Sequence, residues 1–461
     1  MEEKTTGQLL SEKLTYKSKN SFAGIDSEAV HSYCEGYKAF LDAGKTEREV
    51  VKETIAMISA QGYVPYTLGD KLVPGGKYYL NNRNKSLFMF RIGSEPIEEG
   101  IRITASHIDS PRVDFKPRPV YEDSEMCFFK THYYGGIKKY QWTAIPLSLH
   151  GVICKKDGDV DVRIGDDESE PVFYINDLPP HLAQTQYEKT VGKAISGEQL
   201  NVLAGSQPYD DDKVSDKVKL QVLAALNEKY GCTEADLISA ELCAVPAMKA
   251  RDVGFDRSMI GSYGHDDRVC AYPSVTAMLE SEDSAHTLLN IIADKEEVGS
   301  DGVSGMQCKL LADLIEEIAL NLGGNPRVVR AHSKCLSADV NVAYDPNFPD
   351  VFEKRNSAMI NHGVVLSKYT GSRGKSGTSD ASAEFVSFVT KIFDDADVNW
   401  QMAELGKVDQ GGGGTVAKFI ASNNIDVIDL GVPVLSMHAP YEVVAKNDVY
   451  MTHKAIAAFY R

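Results

Sequence analysis

The sequence predicts an α/β fold whose main domain is interrupted by a β-rich insert, and three stretches of the chain carry that reading. A helical run followed by strands opens it, a strand-and-turn region without repeating βα units fills the middle, and helical and strand segments alternate to the end. Taken in order, Ser27 to Gln61 mixes polar and apolar residues at helical spacing, with Glu47, Glu49, Lys52 and Glu53 on the wetter side. Between Ser86 and Asp109, SLFMFRIG and GIRITASHID are short β-rich runs joined by the polar EPIEEG, and the second ends in His107 and Asp109. From Arg112 to about Ala240, FKPRPVYEDSEMCFFKTHYY, TAIPLSLHGVICKKDGDVDVRIGDD and EPVFYINDLPP read as short strands and turns, with one helical piece, DDDKVSDKVKLQVLAALNEKYG, near the end. AELCAVPAMKARDVGF restores a strand-like alternation, where the chain is expected to re-enter the first domain. The apolar segments HTLLNIIAD, ADLIEEIALNLG, NSAMINHGVVLS, SAEFVSFVTKIF, TVAKFIASNN and NDVYMTHKAIAAFYR then alternate with strand candidates such as VIDLGVPVLS. The expected division is 1–112 and 240–461 for the main domain and 113–239 for the insert.

Composition narrows the function classes. With 25% charged and 43% apolar residues, the 461-residue chain has the balance of a soluble globular protein with a large core. Its 49 Lys and Arg against 66 Asp and Glu leave a net charge of −17, a field that repels phosphate backbones and anionic lipid and argues against nucleic-acid and membrane partners. No run approaches the ~18 apolar residues of a membrane span, and the opening MEEKTTGQLLSEKL lacks the apolar centre of a signal peptide, so a cytoplasmic address is expected. The eight cysteines are scattered, without a C-x-x-C pair, and are expected to be buried thiols. The glycine run Gly411 to Gly414 opens a helical segment; lacking G-x-G-x-x-G, it reads as a tight turn packed near a site rather than a nucleotide cradle.

Five places combine metal-capable side chains with strand ends or turns: His107 and Asp109 in SHIDSP, Asp266 in GHDDR, Glu296 and Glu297 in DKEEVG, Asp339 in SADVN, and His438 in SMHAP. Singly each has an ordinary explanation, since loop aspartates cap helices and lone histidines are mostly satisfied surface or core residues. Together they form a donor set. Two histidines with several carboxylates suit zinc or cobalt, whereas oxygen alone would suit magnesium or calcium. The count fits two divalent ions that share a carboxylate, with Asp266 as the bridge, His107 and Asp339 on one ion, and Glu297 and His438 on the other. Glu296 and Glu297 leave a strand as neighbours and point differently, so Glu297 can ligate while Glu296 serves as general base for the attacking water. His107 and Asp109 fall on one side of an extended strand, where Asp109 can accept the second ring N–H of His107 and fix its tautomer.

The order SHIDSP, DDR, DKEEVGS, SADVN and SMHAP closely resembles the aspartyl aminopeptidase family of co-catalytic dizinc exopeptidases, and AYDPNF and GGGGT look like that branch of the wider group. The resemblance implies zinc ligands His107, Asp266, Glu297, Asp339 and His438, Glu296 as general base and Asp109 as the orienting acid. It also implies a phosphorylase/hydrolase-like mixed-sheet catalytic domain with an inserted β-rich dimerisation domain, and a tetrahedral dodecamer built from dimers. PPHLA resembles a family segment whose histidine reaches a neighbouring subunit's active site, which makes His181 a candidate for completing the pocket in trans. Two features depart from the family. His265 stands where an apolar residue usually precedes the bridging Asp, and is expected to act as a donor behind the ligands. The loop after the pocket lysine reads KYTGSRGKSGTSDAS, so Lys368 aligns while the residues after it differ.

The expected activity is removal of an N-terminal residue from peptides, Asp or Glu by the resemblance, using zinc, with cobalt or manganese as alternatives. A buried carboxylate side chain of the substrate needs a cation, and Lys368, Arg373 and Lys375 are the candidates. The alternative is an aminopeptidase of neutral or broad specificity. Paired carboxylates also serve metal-free glycoside hydrolysis, which would leave both histidines without a role. A non-catalytic binding protein of this fold would have had no reason to keep all five ligands and Glu296.

Overall fold

Runs of Val, Ile and Leu with no polar face form the middle of the main sheet. The strand Thr287–Ala293 is buried at every position, as a strand covered on both faces must be. Its residues alternate between two cores: Leu288 and Ile292 pack on one side, Leu289 and Ile291 on the other. The computed structural model describes residues 4–281 and 283–461, and among these Thr287–Ala293 lies within a nine-stranded mixed sheet. It runs parallel to Ile101–His107, which is parallel to Lys334–Ala338, which is parallel to Asp426–Gly431. Ser86–Arg91 on one flank and Val364–Ser367 on the other pair antiparallel. Helices Ser27–Ala43, Glu47–Ser59, His265–Glu280, Ala383–Asp395 and Lys446–Tyr460 cover one face, and Leu310–Asn321, Pro326–His332 and Ala417–Ala421 the other.

The helical stretch expected from Ser27 to Gln61 is two helices. Asp26 caps the first and Thr46 forms a capping box with Glu49 at the second, so the break is written in cap residues inside one continuous apolar pattern. HTLLNIIAD and the end of NSAMINHGVVLS, set against the strand candidates, are themselves the strands Thr287–Ala293 and Val364–Ser367. Short apolar runs buried on both sides carry no periodicity that separates strand from helix.

The insert is a seven-stranded antiparallel sheet around a core that includes Trp142, with the helix Lys217–Tyr230 packed on it. Its strands Arg112–Asp123 and Met126–Tyr134 form a hairpin whose two turn residues, Ser124 and Glu125, both have positive φ, as a tight hairpin turn requires. The sheet also takes in Ala240–Pro246, which pairs with Leu147–Lys155 and with Arg112–Asp123. The insert therefore starts at Arg112 and runs to Pro246, beyond the expected boundary at 239. Alternation marks a strand but does not name its partner, and here the partner lies far back in the chain. A smaller five-stranded sheet in the main domain joins Arg251–Val253, Met259–Ser262, Glu442–Ala445, Pro433–Leu435 and Asn341–Val342.

A buried ionic cluster ties the insert to the main domain. His150 is fully buried, with Nδ1 2.8 Å from Glu49 Oε1 and Nε2 3.3 Å from Asp166 Oδ2, while Lys45 Nζ lies 2.7 Å from Asp166. Burial opposes charge on His150, but Asp166 and Glu49 outweigh it and raise its pKa, and His150 in turn helps hold both carboxylates below their usual range. His150's share of the stability is complete below its unfolded pKa of about 6.5 and fades as pH rises through its raised folded value; the carboxylates' share is complete above about 4.5 and fades below. Thermal unfolding of wild type and His150→Gln is expected to differ most near pH 5–6 and to converge at alkaline pH. A gap independent of pH would remove the ionic explanation.

Candidate metal centre

Parallel strands deliver their following residues to one edge, which is where α/β sheets build sites. His107 ends Ile101–His107, Glu296 and Glu297 follow Thr287–Ala293, and Asp339 follows Lys334–Ala338, three strands side by side. Gly431 lets these ends converge: a Cβ there would lie 1.7 Å from the Asp339 carbonyl oxygen. The small sheet supplies the rest. Asp266 starts the helix after Met259–Ser262, and His438 lies in the loop between Pro433–Leu435 and Glu442–Ala445.

The five expected ligands meet in one place. Asp266 Oδ1 is 3.1 Å from His107 Nε2 and its Oδ2 is 3.2 Å from His438 Nε2. Asp339 Oδ1 is 3.7 Å from His107 Nε2, and Glu297 Oε2 is 3.4 Å from His438 Nε2. Glu296 stands slightly back, its Oε2 4.0 Å from His107 Nε2. Asp266 Oδ1 and Glu297 Oε1 are buried without a hydrogen-bond partner. Asp266 thus approaches His107 without the alignment that a hydrogen bond needs, as donor atoms around a shared cation do. Asp267, adjacent, also lies within ligand distance of His107 and Asp339, and its Oδ2 accepts from the His107 backbone N–H at 3.3 Å.

The electrostatics point the same way. Burial, reinforced by neighbouring carboxylates, raises Glu297 and Asp339 above the usual carboxylate range and pushes Glu296 to about 8. Burial also opposes charge on the histidines, but Asp266 and other carboxylates raise His107 and bring His438 to about 10. Against the effect of burial, Asp266, between the two histidines, and Asp109, beside His107, are instead held below the usual carboxylate range by those rings; the protons drawn onto Glu296, Glu297, Asp339 and the histidines mark a cluster short of positive charge, which divalent ions would supply. The two nitrogens and the carboxylates fit zinc, and also cobalt or manganese.

The supporting contacts arrive from both domains. Asp109, fully buried, accepts from the backbone N–H groups of Glu296 at 3.1 Å and Glu297 at 3.2 Å, so it orients both glutamates together. His107 Nδ1 faces the Asp109 carbonyl at 3.0 Å, closer than its carboxylate at 3.3 Å, so the backbone shares the tautomer role expected of the side chain alone. Tyr134 and Gly136 come from the end of the insert's hairpin. Tyr134 donates to Asp109 Oδ2 at 2.7 Å, and His438 Nδ1 lies 2.7 Å from the Gly136 carbonyl. Between them Gly135 has φ +74°, and a Cβ there would come within 3.3 Å of Glu297. Glu442 accepts from the backbone N–H groups of His438 at 2.7 Å and Asp266 at 3.1 Å. Sequence reasoning missed these residues; only Glu442, an acid four residues after His438, left a local signal.

Beside the ligands a cavity of about 440 Å³ opens, lined by Asp266, Glu296, Glu297, Asp339 and His438 at one end and by Gly412, Gly413, Gly414, Leu405, Lys418 and Phe419 elsewhere. The glycine run is not the expected tight turn: the turn is at 408–410, and Gly412, Gly413 and Gly414 line the cavity as irregular backbone, while the helix after them, Ala417–Ala421, is short. Lys368 does not line the cavity, although Ser367 does. Arg373 and Lys375 border a smaller neighbouring cavity, where Lys375 pairs with Asp380 at 2.9 Å. The lysine of the main cavity is Lys418, which the sequence did not single out. His265 turns away from the cavity: its ring nitrogens meet Tyr37 at 2.7 Å and the Ile260 carbonyl at 3.1 Å, and burial lowers its pKa to about 3. His181 is exposed in the turn Pro180–Leu182 and does not line its own chain's cavity.

Comparison with known proteins matches residues 40–460 to the family model described as "Aminopeptidase I zinc metalloprotease (M18)". A relative from Clostridium acetobutylicum named "Probable M18 family aminopeptidase 1" is 50% identical over 453 residues, covering 96% of this chain and 97% of that protein. The crystal structure of an M18 aminopeptidase from Thermotoga maritima superposes with a TM-score of 0.93 at 41% identity, covering 97% of this chain and 100% of the other. A structure of the mApe1 dodecamer of yeast shares the fold at 22% identity, with a TM-score of 0.77 over 94% of this chain and 97% of that one.

Proposed function

Because the chain belongs to the M18 family of aminopeptidase I zinc metalloproteases, we propose that it hydrolyses the first peptide bond of its substrates with two zinc ions. His107 and Asp339 would hold one ion and Glu297 and His438 the other, with Asp266 shared between them. The observation that carries this reading is Asp266, whose two carboxylate oxygens reach a different histidine each, at 3.1 and 3.2 Å. Bound ions would supply Lewis acidity, polarising the scissile carbonyl and acidifying water. Glu296 takes the proton of the attacking water and returns it to the leaving amine, a role that burial supports by raising its pKa to about 8. Asp109 keeps Glu296 and Glu297 in register through their backbone N–H groups. The cavity beside the ligands holds the N-terminal residue.

For the side chain, our reading is Asp or Glu, held by Lys418 as the cavity's lysine. The apolar lining by Leu405, Phe419 and Met437 supports the second reading, a neutral or broad specificity. Assembly into a dodecamer is our reading, in line with the yeast mApe1 dodecamer that shares the fold; His181, exposed on its own chain, is proposed to complete a neighbour's site on the resemblance of PPHLA alone. No helix among the described residues is long and apolar enough to cross a membrane; the proposed location remains the cytoplasm.

Metal-stripped enzyme, re-loaded with zinc, cobalt or manganese and assayed on a panel of N-terminal residues, tests both levels. Activity is expected to return with metal and to favour Asp and Glu. Lys418→Met should then lower the acidic rates by about tenfold or more, the worth of one charge-assisted contact, and Lys368→Met should leave them near wild type. Metal-dependent cleavage of neutral residues alone would discard the acidic specificity and keep the dizinc chemistry; absence of activity with every metal would discard both.

A further inference from the structure

We infer that Ser110 and Arg268 are positioning residues for Asp266: together they form a relay that fixes its backbone and so keeps its carboxylate between His107 and His438. The inference rests on the dizinc reading above and deepens it.

Asp266 stands at the start of a helix without helical backbone, its φ being −77° and its ψ 104°. The helix that follows therefore does not dictate where its carboxylate points. Contacts from outside the helix do. Glu442 takes the Asp266 backbone N–H at 3.1 Å, and the Ser110 hydroxyl donates to the Asp266 carbonyl at 2.6 Å. Ser110 lies three residues after His107, in the stretch that leaves the strand Ile101–His107. Its hydroxyl thus ties the segment carrying one proposed ligand to the backbone of another.

Arg268 completes the relay. Its Nη2 donates to Ser110 Oγ at 3.1 Å and to the Lys45 carbonyl at 3.0 Å, and its Nη1 to the Tyr263 carbonyl at 3.4 Å. A guanidinium only donates and a hydroxyl has one proton, so the direction is forced: Arg268 to Ser110, and Ser110 to Asp266. Arg268 is fully buried, and among the described residues none of its hydrogen bonds goes to a carboxylate. Burying a charge in this way is costly. The fold nevertheless makes room for it, since a Cβ on Gly264 would lie 2.4 Å from the guanidinium carbon. The planar fork joins three separate pieces of chain, which the single ammonium of a lysine cannot do with the same geometry. Neither Ser110 nor Arg268 lines the cavity, so their influence passes through the Asp266 main chain. A shift there moves both carboxylate oxygens away from the histidines that they meet at 3.1 and 3.2 Å.

The test measures the zinc dissociation constant of the loaded enzyme by chelator competition, in wild type and variants. Ser110→Ala is expected to weaken zinc binding, taken over both equivalents, by about tenfold or more, as loss of a partner behind a metal ligand does. Ser274→Ala is the control: Ser274 is equally buried, and its hydroxyl donates to the Cys270 carbonyl at 2.8 Å in the same helix, so this variant should hold zinc as wild type does. Arg268→Lys should weaken zinc binding as well, and the double variant Ser110→Ala/Arg268→Lys no further than the weaker-binding single one, because groups acting in series are not additive. Wild-type affinity in Ser110→Ala, an equal loss in Ser274→Ala, or additive losses in the double variant overturns the inference. If Arg268→Lys does not fold, the comparison of Ser110→Ala with Ser274→Ala decides. Failure of the dizinc reading looks different: wild type itself would then take up no zinc.

Discussion

Glu296→Gln is expected to keep both ions and lose about 10²–10⁴-fold in kcat, the usual worth of a positioned general base. Glutamine preserves the shape of Glu296 and its backbone contact to Asp109 at 3.1 Å, so the ligands should stay where they are. It cannot take a proton from water. Glu296 suits that task because its oxygen lies 4.0 Å from His107 Nε2, behind the donor atoms that crowd Asp266 at 3.1 and 3.2 Å. Burial first, and then the repulsion of Asp339, Asp109 and Asp266, makes its carboxylate a better base than a solvated one. Metal analysis alongside steady-state kinetics checks the prediction: two equivalents of zinc with a collapsed kcat and a nearly unchanged KM. Full turnover with both ions bound would remove Glu296 from the chemistry.

That the sequence points to Glu296 and the five proposed ligands, which the fold brings together, has a physical cause. Each stands at a strand end or a turn where the motif itself fixes the local geometry, and the chemistry of two ions demands a set of residue types that few other functions need. The contacts that position them are not local. Tyr134 reaches Asp109 from a different sheet, and Gly136 contributes only a carbonyl, which any residue has. Lys418 and Lys368 show the same limit from the other side: each is a single lysine with no motif around it that fixes where its side chain lies, and only the path of the chain puts Lys418 on the cavity wall. The insert's end is misplaced for a related reason. Ala240–Pro246 is visibly a strand, but its partners at Leu147–Lys155 and Arg112–Asp123 are set by long-range pairing.

Asp266→Asn carries the other large expected effect, and it should differ in kind from Glu296→Gln. A carboxylate can give one oxygen to each of two ions, whereas an amide has a single oxygen and presents N–H groups on its other side. In the arrangement around Asp266 that other side faces either His107 or His438, and an N–H there repels an ion instead of binding it. One ion at least should be lost, and activity should fall by about 10³-fold or more, since shared-ion activation of water and carbonyl is lost together with the ion. Stability reports the same event independently. An ion that binds only the folded state adds about 2.7 kcal/mol when its free concentration is one hundred times its Kd. Zinc should therefore raise the unfolding temperature of wild type in two resolvable steps of a titration, and that of Asp266→Asn by no more than one. Glu296→Gln should keep the full zinc response while losing turnover. If Asp266→Asn binds two equivalents and gains the wild-type thermal shift, Asp266 is not the bridge, and Asp267, whose carboxylate lies within ligand distance of His107 and Asp339, becomes the residue to replace next.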